Sequence, residues 1–247
     1  MTSIRAAACQ VPHVYKDMPR ALSLIESYAA DARSAGGTAD LLSRVFSPGL
    51  SRKRGPRLGG RARSQVLEFS GILRRIQHCE PIIVVGFIER DGEKFYNSTV
   101  AINRGQVIAC YRKNYLLRGE ESVFARGTGV GLFDVSGIKV GINICYDLNF
   151  SEPVRHVARQ GAALVVCPCN NMMRRSSAER SKSRHNEIRA KRAQEQRVWL
   201  LSSDVTGESD GRVSLRSNSC DRSKRFGHRP GTFDDDWNGR CRHRTNQ

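Results

Sequence analysis

Residues 137–158 read GIKVGINICYDLNFSEPVRHVA. Ile138, Val140, Ile142 and Ile144 alternate with Lys139, Gly141 and Asn143, a period-two pattern rich in β-branched residues that predicts a strand ending at Cys145. Helix-start signals follow at once. Ser151 is a cap residue, Glu152 suits a first turn, Pro153 is tolerated there because its missing N–H has no helical partner, and Val154, Val157 and Ala158 supply an apolar face. A cysteine at a strand-to-helix corner carries its sulfur to the sheet edge, near backbone N–H groups suited to a developing oxyanion.

Upstream lies a second informative segment, YRKNYLLRGEESVF, at residues 111–124. Taken singly, Cys145 reads as a buried core thiol, Lys113 as half of a surface salt bridge and Glu120 as a solvated loop acid. Taken together, the two segments resemble the nitrilase, or carbon–nitrogen hydrolase, superfamily. That family combines an R-K motif after a strand, a G-E-x-x-x-F motif and a G-x-x-I-C-Y-D motif. The matching positions here are Lys113, Glu120 and Cys145.

The resemblance implies an α/β fold, the four-layer αββα sandwich, and hydrolysis of non-peptide carbon–nitrogen bonds in amides, carbamoyl groups or nitriles. It implies that Cys145 forms a thioester, Lys113 stabilises the oxyanion and Glu120 orients the lysine or the base, with Tyr146, Asn170, Asn171 and Met172 as substrate-binding residues. Neither a metal nor an organic cofactor is implied, the partner is a small amide or nitrile, and a homodimer or higher homo-oligomer is expected. The family's remaining catalytic residue, a glutamate in a P-E-x-F motif that serves as base and then acid, is missing from this sequence.

The chain has 247 residues, enough for one large domain with a substantial core. Its net charge of +17 suggests a polyanion partner, but eleven of those surplus charges fall in residues 44–63 and 215–247. The basicity is local, so a nucleic-acid partner is not expected. Eight cysteines without a secretory signal or regular spacing suggest a reducing compartment, and no apolar run approaches the ~18 residues of a membrane span. A cytoplasmic protein without a membrane partner is the expectation. Cys167-Pro168-Cys169 lacks a second pair of ligands at zinc spacing and is a weak metal signal.

In chain order, Ile4 to Val11 predicts a strand. Asp17 and Pro19 open a helix with Ala21, Leu22, Ile25, Tyr28, Ala29 and Ala32 on one face, which Gly36 and Gly37 close. Ala39 to Leu42 begins a second strand. A helix containing Phe69, Ile72, Leu73 and Ile76 follows, then a buried strand from Pro81 to Phe87, a hairpin turn at Glu89 to Lys94 into Phe95 to Ile102, and a turn at Arg104-Gly105 into Val107 to Tyr111. Gly161 to Pro168 predicts a strand and Ser177 to Val198 a charged helix, whose Arg192-Ala193-Gln194-Glu195 resembles the family's R-A-x-E motif. Trp199 to Asp204 predicts a strand and Val205 to Glu208 a loop.

The pattern fails at Ser43 and again at Leu215. Residues 43–64 read as an aberrant basic insert and 215–247 as an aberrant tail, flanking and interrupting a hydrolase domain over 1–214. Among the codons compatible with Ser43 to Arg52, the choice TCC CGA GTG TTT TCT CCA GGG CTA TCT CGT spells P-E-C-F-L-Q-G-Y-L-(V) when read one nucleotide later, the missing glutamate motif. Codons for Leu215 to Arg229 shifted likewise spell Y-G-P-T-A-V-I-D-P-N-G-S-V-I-A, two strands around a D-P-N-G turn. The expectation is a family member damaged in reading frame, by mutation or sequencing error, whose literal chain is impaired. The readings from other classes are a non-catalytic scaffold of the same fold and a basic nucleic-acid-binding protein.

Overall fold

The structure is a computed structural model describing residues 3–14, 17–34, 41–44, 62–214, 219–221, 235–236 and 240–244. Most of the basic insert (45–61) and much of the tail (215–218, 222–234, 237–239, 245–247) lie outside the described residues, as do Gly36 and Gly37.

The first sheet contains β1 (Ser3–Ala8), β3 (Leu41–Arg44), β4 (Ile82–Asp91), β5 (Lys94–Asn103), β6 (Gln106–Arg112), β13 (Asp235–Asp236) and β14 (Arg240–Arg244). Their order is β13-β14-β1-β3-β4-β5-β6. β1, β3 and β4 run parallel, while β4, β5 and β6 form antiparallel hairpins. The second sheet contains β7 (Gly131–Val135), β8 (Ile138–Ile142), β9 (Leu164–Cys169), β10 (Trp199–Ser209) and β11 (Arg212–Ser214), in the order β11-β10-β9-β8-β7. The short strands β2 (Val11–Pro12) and β12 (Ser219–Asp221) also pair with β10. The helices are α1 (Met18–Ser34), α2 (Ala62–Ile76), α3 (Glu152–Arg159) and α4 (Arg175–Gln196).

Three apolar clusters define the layers. Ile4, Val84, Ala101 and Tyr111 of the first sheet pack against Val140, Ile142, Leu164, Val166 and Leu201 of the second, forming the core between the sheets. Leu22, Ile25 and Ala29 of α1, with Phe69, Ile72 and Ile76 of α2, cover Ile83, Val85, Val100 and Ile102 on the outer face of the first sheet. Val154 and Val157 of α3, with Ile188 and Ala193 of α4, cover Val165, Cys167 and Leu200 on the outer face of the second. The architecture is therefore the expected αββα sandwich, in which the central parallel strand β9 is buried along its whole length.

Several boundaries differ from expectation. The first predicted strand is two strands, β1 and β2, interrupted at Cys9 and Gln10; β1 joins the first sheet and β2 the second. β8 stops at Ile142, not Cys145. The reason lies in its neighbour: Asn143 still donates its N–H to the Val166 carbonyl at 3.0 Å, but the next donor on β9 belongs to Pro168, which has no N–H to return. Val205 to Glu208 is not a loop; these residues extend β10, where Val205 pairs with Val11 and Gly207 with Ser214. Ser151 occupies the cap position of α3 but its hydroxyl makes no capping bond. At α1 the expected cap is made, with the Asp17 carboxylate accepting the Arg20 N–H at 3.0 Å.

α3 lies unusually close to β8 at Gly141. A methyl group there would sit 2.7 Å from Val157 Cβ and Cγ2, closer than nonbonded carbons tolerate. Gly141→Ala is expected to push α3 off the sheet and cost about 1–3 kcal/mol in urea denaturation; an unchanged unfolding midpoint would show that the helix moves freely.

Candidate active site

The site is assembled from three chain segments. After β6 the backbone of Lys113 is held on both sides, donating to the Asn97 carbonyl at 2.8 Å and accepting from Gly127 N–H at 2.9 Å. The lysine side chain is 1% exposed and its ammonium donates to Glu120 Oε2 at 2.7 Å. The same oxygen accepts the Leu117 N–H at 2.7 Å, and Oε1 accepts from Asn97 Nδ2 at 3.4 Å. A buried ammonium is tolerated only with a counter-ion in hydrogen-bond contact, which is what Glu120 supplies.

Cys145 adopts φ +44°, in the left-handed region that a side chain with a β-carbon enters at a cost, and opens a 3-10 turn spanning Cys145–Asn149. Asp147 holds this conformation. Its Oδ2 accepts the Ile144 N–H and the Tyr111 hydroxyl, each at 2.9 Å, and its Oδ1 accepts the Tyr115 N–H at 2.9 Å. Tyr111 and Tyr115 flank Lys113, so one carboxylate ties the lysine segment to the cysteine turn. Burial pushes Asp147 up to about 6, against the pull of its three donors and of Lys113. On the far side of the turn, Arg192 of α4 donates from Nε to the Leu148 carbonyl at 2.9 Å and from Nη2 to the Asn149 carbonyl at 3.3 Å, and pairs with Glu195. The R-A-x-E motif thus clamps the end of the turn.

Cys145 lies half-buried where the inter-sheet core meets the α3 and α4 layer. Its sulfur is 3.6 Å from Asn171 Oδ1. Asn171 is gripped in turn by Asp204, whose Oδ1 accepts its backbone N–H at 3.0 Å and whose Oδ2 accepts its side-chain amide at 2.6 Å. The Cys145 thiol is pushed well up, first by Cys169 and then by burial and the Asp204 charge, and Lys113 offsets only part of this. Cys145 therefore rests as a thiol. Burial pulls the Lys113 ammonium down, but the charge of Cys145 and then the charge and hydrogen bond of Glu120 outweigh it and hold its pKa above the ordinary lysine value.

Of the residues expected to bind substrate, Asn171 is the one that reaches Cys145. Tyr146 packs edge-on against Phe150, with ring centroids 5.5 Å apart, and Phe150 stacks on Tyr115 at 4.0 Å. Met172 packs against the cluster under α1 and α2, and its carbonyl accepts from Arg212 at 3.4 Å. Asn170 is partly exposed just past β9. Sequence reasoning gave no roles to Asp147, Asp204, Cys169 or Arg192. Asp147 stood in the quoted C-Y-D motif, and Asp204 is a lone carboxylate ending an apolar run, a signal available before the structure.

With this geometry in hand, comparison with known proteins assigns the class: residues 5–221 match the family model for carbon-nitrogen hydrolases, and the chain belongs to that family. It is 35% identical over 130 residues to a nitrilase of Pyrococcus abyssi, covering 52% of this chain and 46% of the relative. It is 31% identical over 121 residues to an (R)-stereoselective amidase of Pseudomonas sp., covering 47% and 44%. The chain thus spans somewhat less than half the length of these two curated relatives. In fold it is similar to a solved variant of the Nesterenkonia AN1 amidase from the nitrilase superfamily, with a TM-score of 0.69 at 23% identity over 85% of this chain and 79% of that one. Among the described residues, no group of three or more His, Cys, Asp or Glu side chains is arranged to hold a metal, and no helix is long and apolar enough to cross a membrane.

Two expectations follow from the buried charges. Glu120→Leu leaves the Lys113 ammonium in the interior without a counter-ion and should cost about 3–5 kcal/mol in urea denaturation. Lys113→Met should cost less, because Glu120 keeps the Leu117 and Asn97 donors; the reverse order would contradict this account of the pair. For Asp147, the folded-state value of about 6 exceeds the ordinary 3.8, so the folded protein binds the proton more tightly and stability from this group falls as pH rises between those values. The loss is on the order of 3 kcal/mol. Asp147→Asn should abolish it, so that the melting-temperature difference between parent and variant narrows as pH rises from about 4 to about 6; a difference constant with pH would refute the assignment.

Proposed function

We propose that the fold serves hydrolysis of non-peptide carbon–nitrogen bonds, in amides, carbamoyl groups or nitriles, through a thioester on Cys145, and that the literal chain is impaired because its general base is missing. The observation that carries this reading is the buried Lys113–Glu120 ion pair at 2.7 Å, whose ammonium acts electrostatically on Cys145 in its strained turn. In the reaction the Cys145 sulfur attacks the substrate carbon, the Lys113 ammonium offsets the negative charge developing on the substrate oxygen or nitrogen, and water then cleaves the thioester. Glu120 keeps the lysine charged and aimed. Asn171, fixed by Asp204, accepts the thiol proton in a hydrogen bond but has no basicity to remove it. The activities for which the relatives are named, nitrilase and amidase, support the same bond class.

The thiol must lose its proton, and the leaving amine must gain one. Neither step has a suitable group among the described carboxylates around the cysteine. Glu120 is engaged by Lys113, Leu117 and Asn97; Asp147 by Ile144, Tyr111 and Tyr115; Asp204 by Asn171 and the Val205 N–H. Read one nucleotide later from Ser43, compatible codons place glutamate at position 44. Arg44 is the last residue of β3, in register with Val85 of β4, and β3 faces β9 and β10 across the core. The hydrolase domain over 1–214, its out-of-frame segments at 43–64 and 215–247, cytoplasmic residence and self-association as a homodimer or larger oligomer belong to this same reading.

The experiment is to express the literal chain and a chain restored to frame at both segments, then measure ammonia release from short amides and nitriles. Loss of general acid–base help predicts that the restored chain is faster by ~10²–10⁴. Equal rates in the two chains would refute the frame-damage account, and no hydrolysis by the restored chain would refute the assigned bond class.

A further inference from the structure

Cys167-Pro168-Cys169 has no part in the proposed hydrolysis, yet it runs beside the nucleophile. β8 and β9 are parallel with Ile142 opposite Val166, and Asn143 keeps that register through its bond to Val166. Beyond Asn143 the chain turns, and the turn opened by Cys145 lies against β9, where Cys145 packs on the same apolar cluster that contains Cys169. Closing a disulfide asks for α-carbons ~4.4–6.8 Å apart, the range of side chains in direct contact. Cys169 is the strongest influence on the ionisation of the Cys145 thiol, an independent sign that the two sulfurs are neighbours. The Cys169 sulfur lies 3.8 Å from that of Cys167, 3.7 Å from Ser202 Oγ and 3.9 Å from Arg189 Nη2. Exposure separates the three thiols: Cys145 is half-buried, whereas Cys167 and Cys169 are 0% and 3% exposed.

We propose that Cys145 and Cys169 form a reversible disulfide when the protein meets a peroxide, with Cys145 as the oxidised thiol and Cys169 as its resolving partner. The Cys145 sulfur attacks one peroxide oxygen, the O–O bond breaks, and the departing hydroxide takes up the thiol proton as water. The Cys169 sulfur then attacks the sulfenic sulfur, the S–O bond breaks, and that oxygen leaves as a second water carrying the Cys169 proton. Two thiols lose two electrons and two protons, and one peroxide becomes two waters. Lys113 and Arg189 place a cation on each side of the pair, where a transient thiolate needs one. Cys145 is the less buried of the three residues and meets the oxidant first, with the second thiol packed behind it, so Cys145 closes to a disulfide before further oxygens add. Contact with Cys145 pulls the Cys169 thiol down, but Cys167 and burial outweigh this and hold it above the ordinary thiol value. Cys145 is likewise held up, so closure should quicken as pH rises.

The inference rests on sulfur connectivity and stands whether or not this chain turns over a substrate. The full chain is treated with graded hydrogen peroxide in neutral and alkaline buffer, alkylated, digested and mapped by mass spectrometry. The expected product has lost two hydrogens, carries a Cys145–Cys169 cross-linked peptide, resists alkylation at Cys145 and recovers with dithiothreitol, faster at alkaline pH. In Cys169→Ser, and in Cys169→Ala as a second variant of different polarity, Cys145 should instead gain two oxygens that dithiothreitol does not remove. A cross-link joining Cys167 to Cys169 with Cys145 still alkylatable would overturn the proposal, as would irreversible oxidation of Cys145 at the same rate in the parent and both variants.

Discussion

One buried carboxylate carries much of the site's geometry. Asp147 accepts three hydrogen bonds, two from the segment that bears Lys113 and one from the residue preceding Cys145. Without those bonds nothing local obliges a cysteine to remain at a positive φ, because the turn is too short to enforce it by its own backbone pairing. The cost is also visible in Asp147 itself, whose acidity is weakened by burial despite three donors. Fixing the cysteine and the lysine to one anchor makes their separation insensitive to sliding of either strand, which packing of apolar side chains alone does not guarantee.

Around that anchor, interior charge is handled consistently. Lys113 meets Glu120, Arg192 meets Glu195 while holding two backbone carbonyls, and Asp204 grips Asn171 with both oxygens. Each is a polar group that burial would penalise alone and that becomes a positioning device once paired. The sandwich supplies the setting: Lys113 leaves the end of an antiparallel hairpin in one sheet, Cys145 leaves the end of a parallel strand in the other, and the core between the sheets fixes how those ends meet.

Most of the strands were legible as short apolar runs bounded by turn residues and α1 and α2 by their apolar faces, while the four-layer arrangement came from the family resemblance. The motif residues Lys113, Glu120 and Cys145 were legible as types at given spacings. What sequence pattern missed was set by partners distant in the chain. Val205 to Glu208 looks like a loop, yet pairing with Val11 and Ser214 makes it strand. β7 was not anticipated; Gly131 sits against Tyr111 and Ile142, and only that close approach explains a glycine at the start of a strand. Ile144 continues the alternation of β8 and so extended the reading too far, since alternation says nothing about whether a neighbour has a donor to offer. Asp147 and Asp204 could be noticed as lone carboxylates, but their anchoring role was not legible because Tyr111, Tyr115 and Asn171, which donate to them, lie far away in the chain.

Pro168 illustrates how a missing atom shapes a cavity. Lying between two strands of a parallel sheet, it cannot zip the last rung toward β8, so the seam above Asn143 stays open and the departing chain is free to swing into the tight corner at Cys145. That gap is written into a covalent ring rather than into side-chain packing. It would survive repacking of the surrounding apolar layers, and it makes the notch at the strand ends one of the least mutable contours of the molecule.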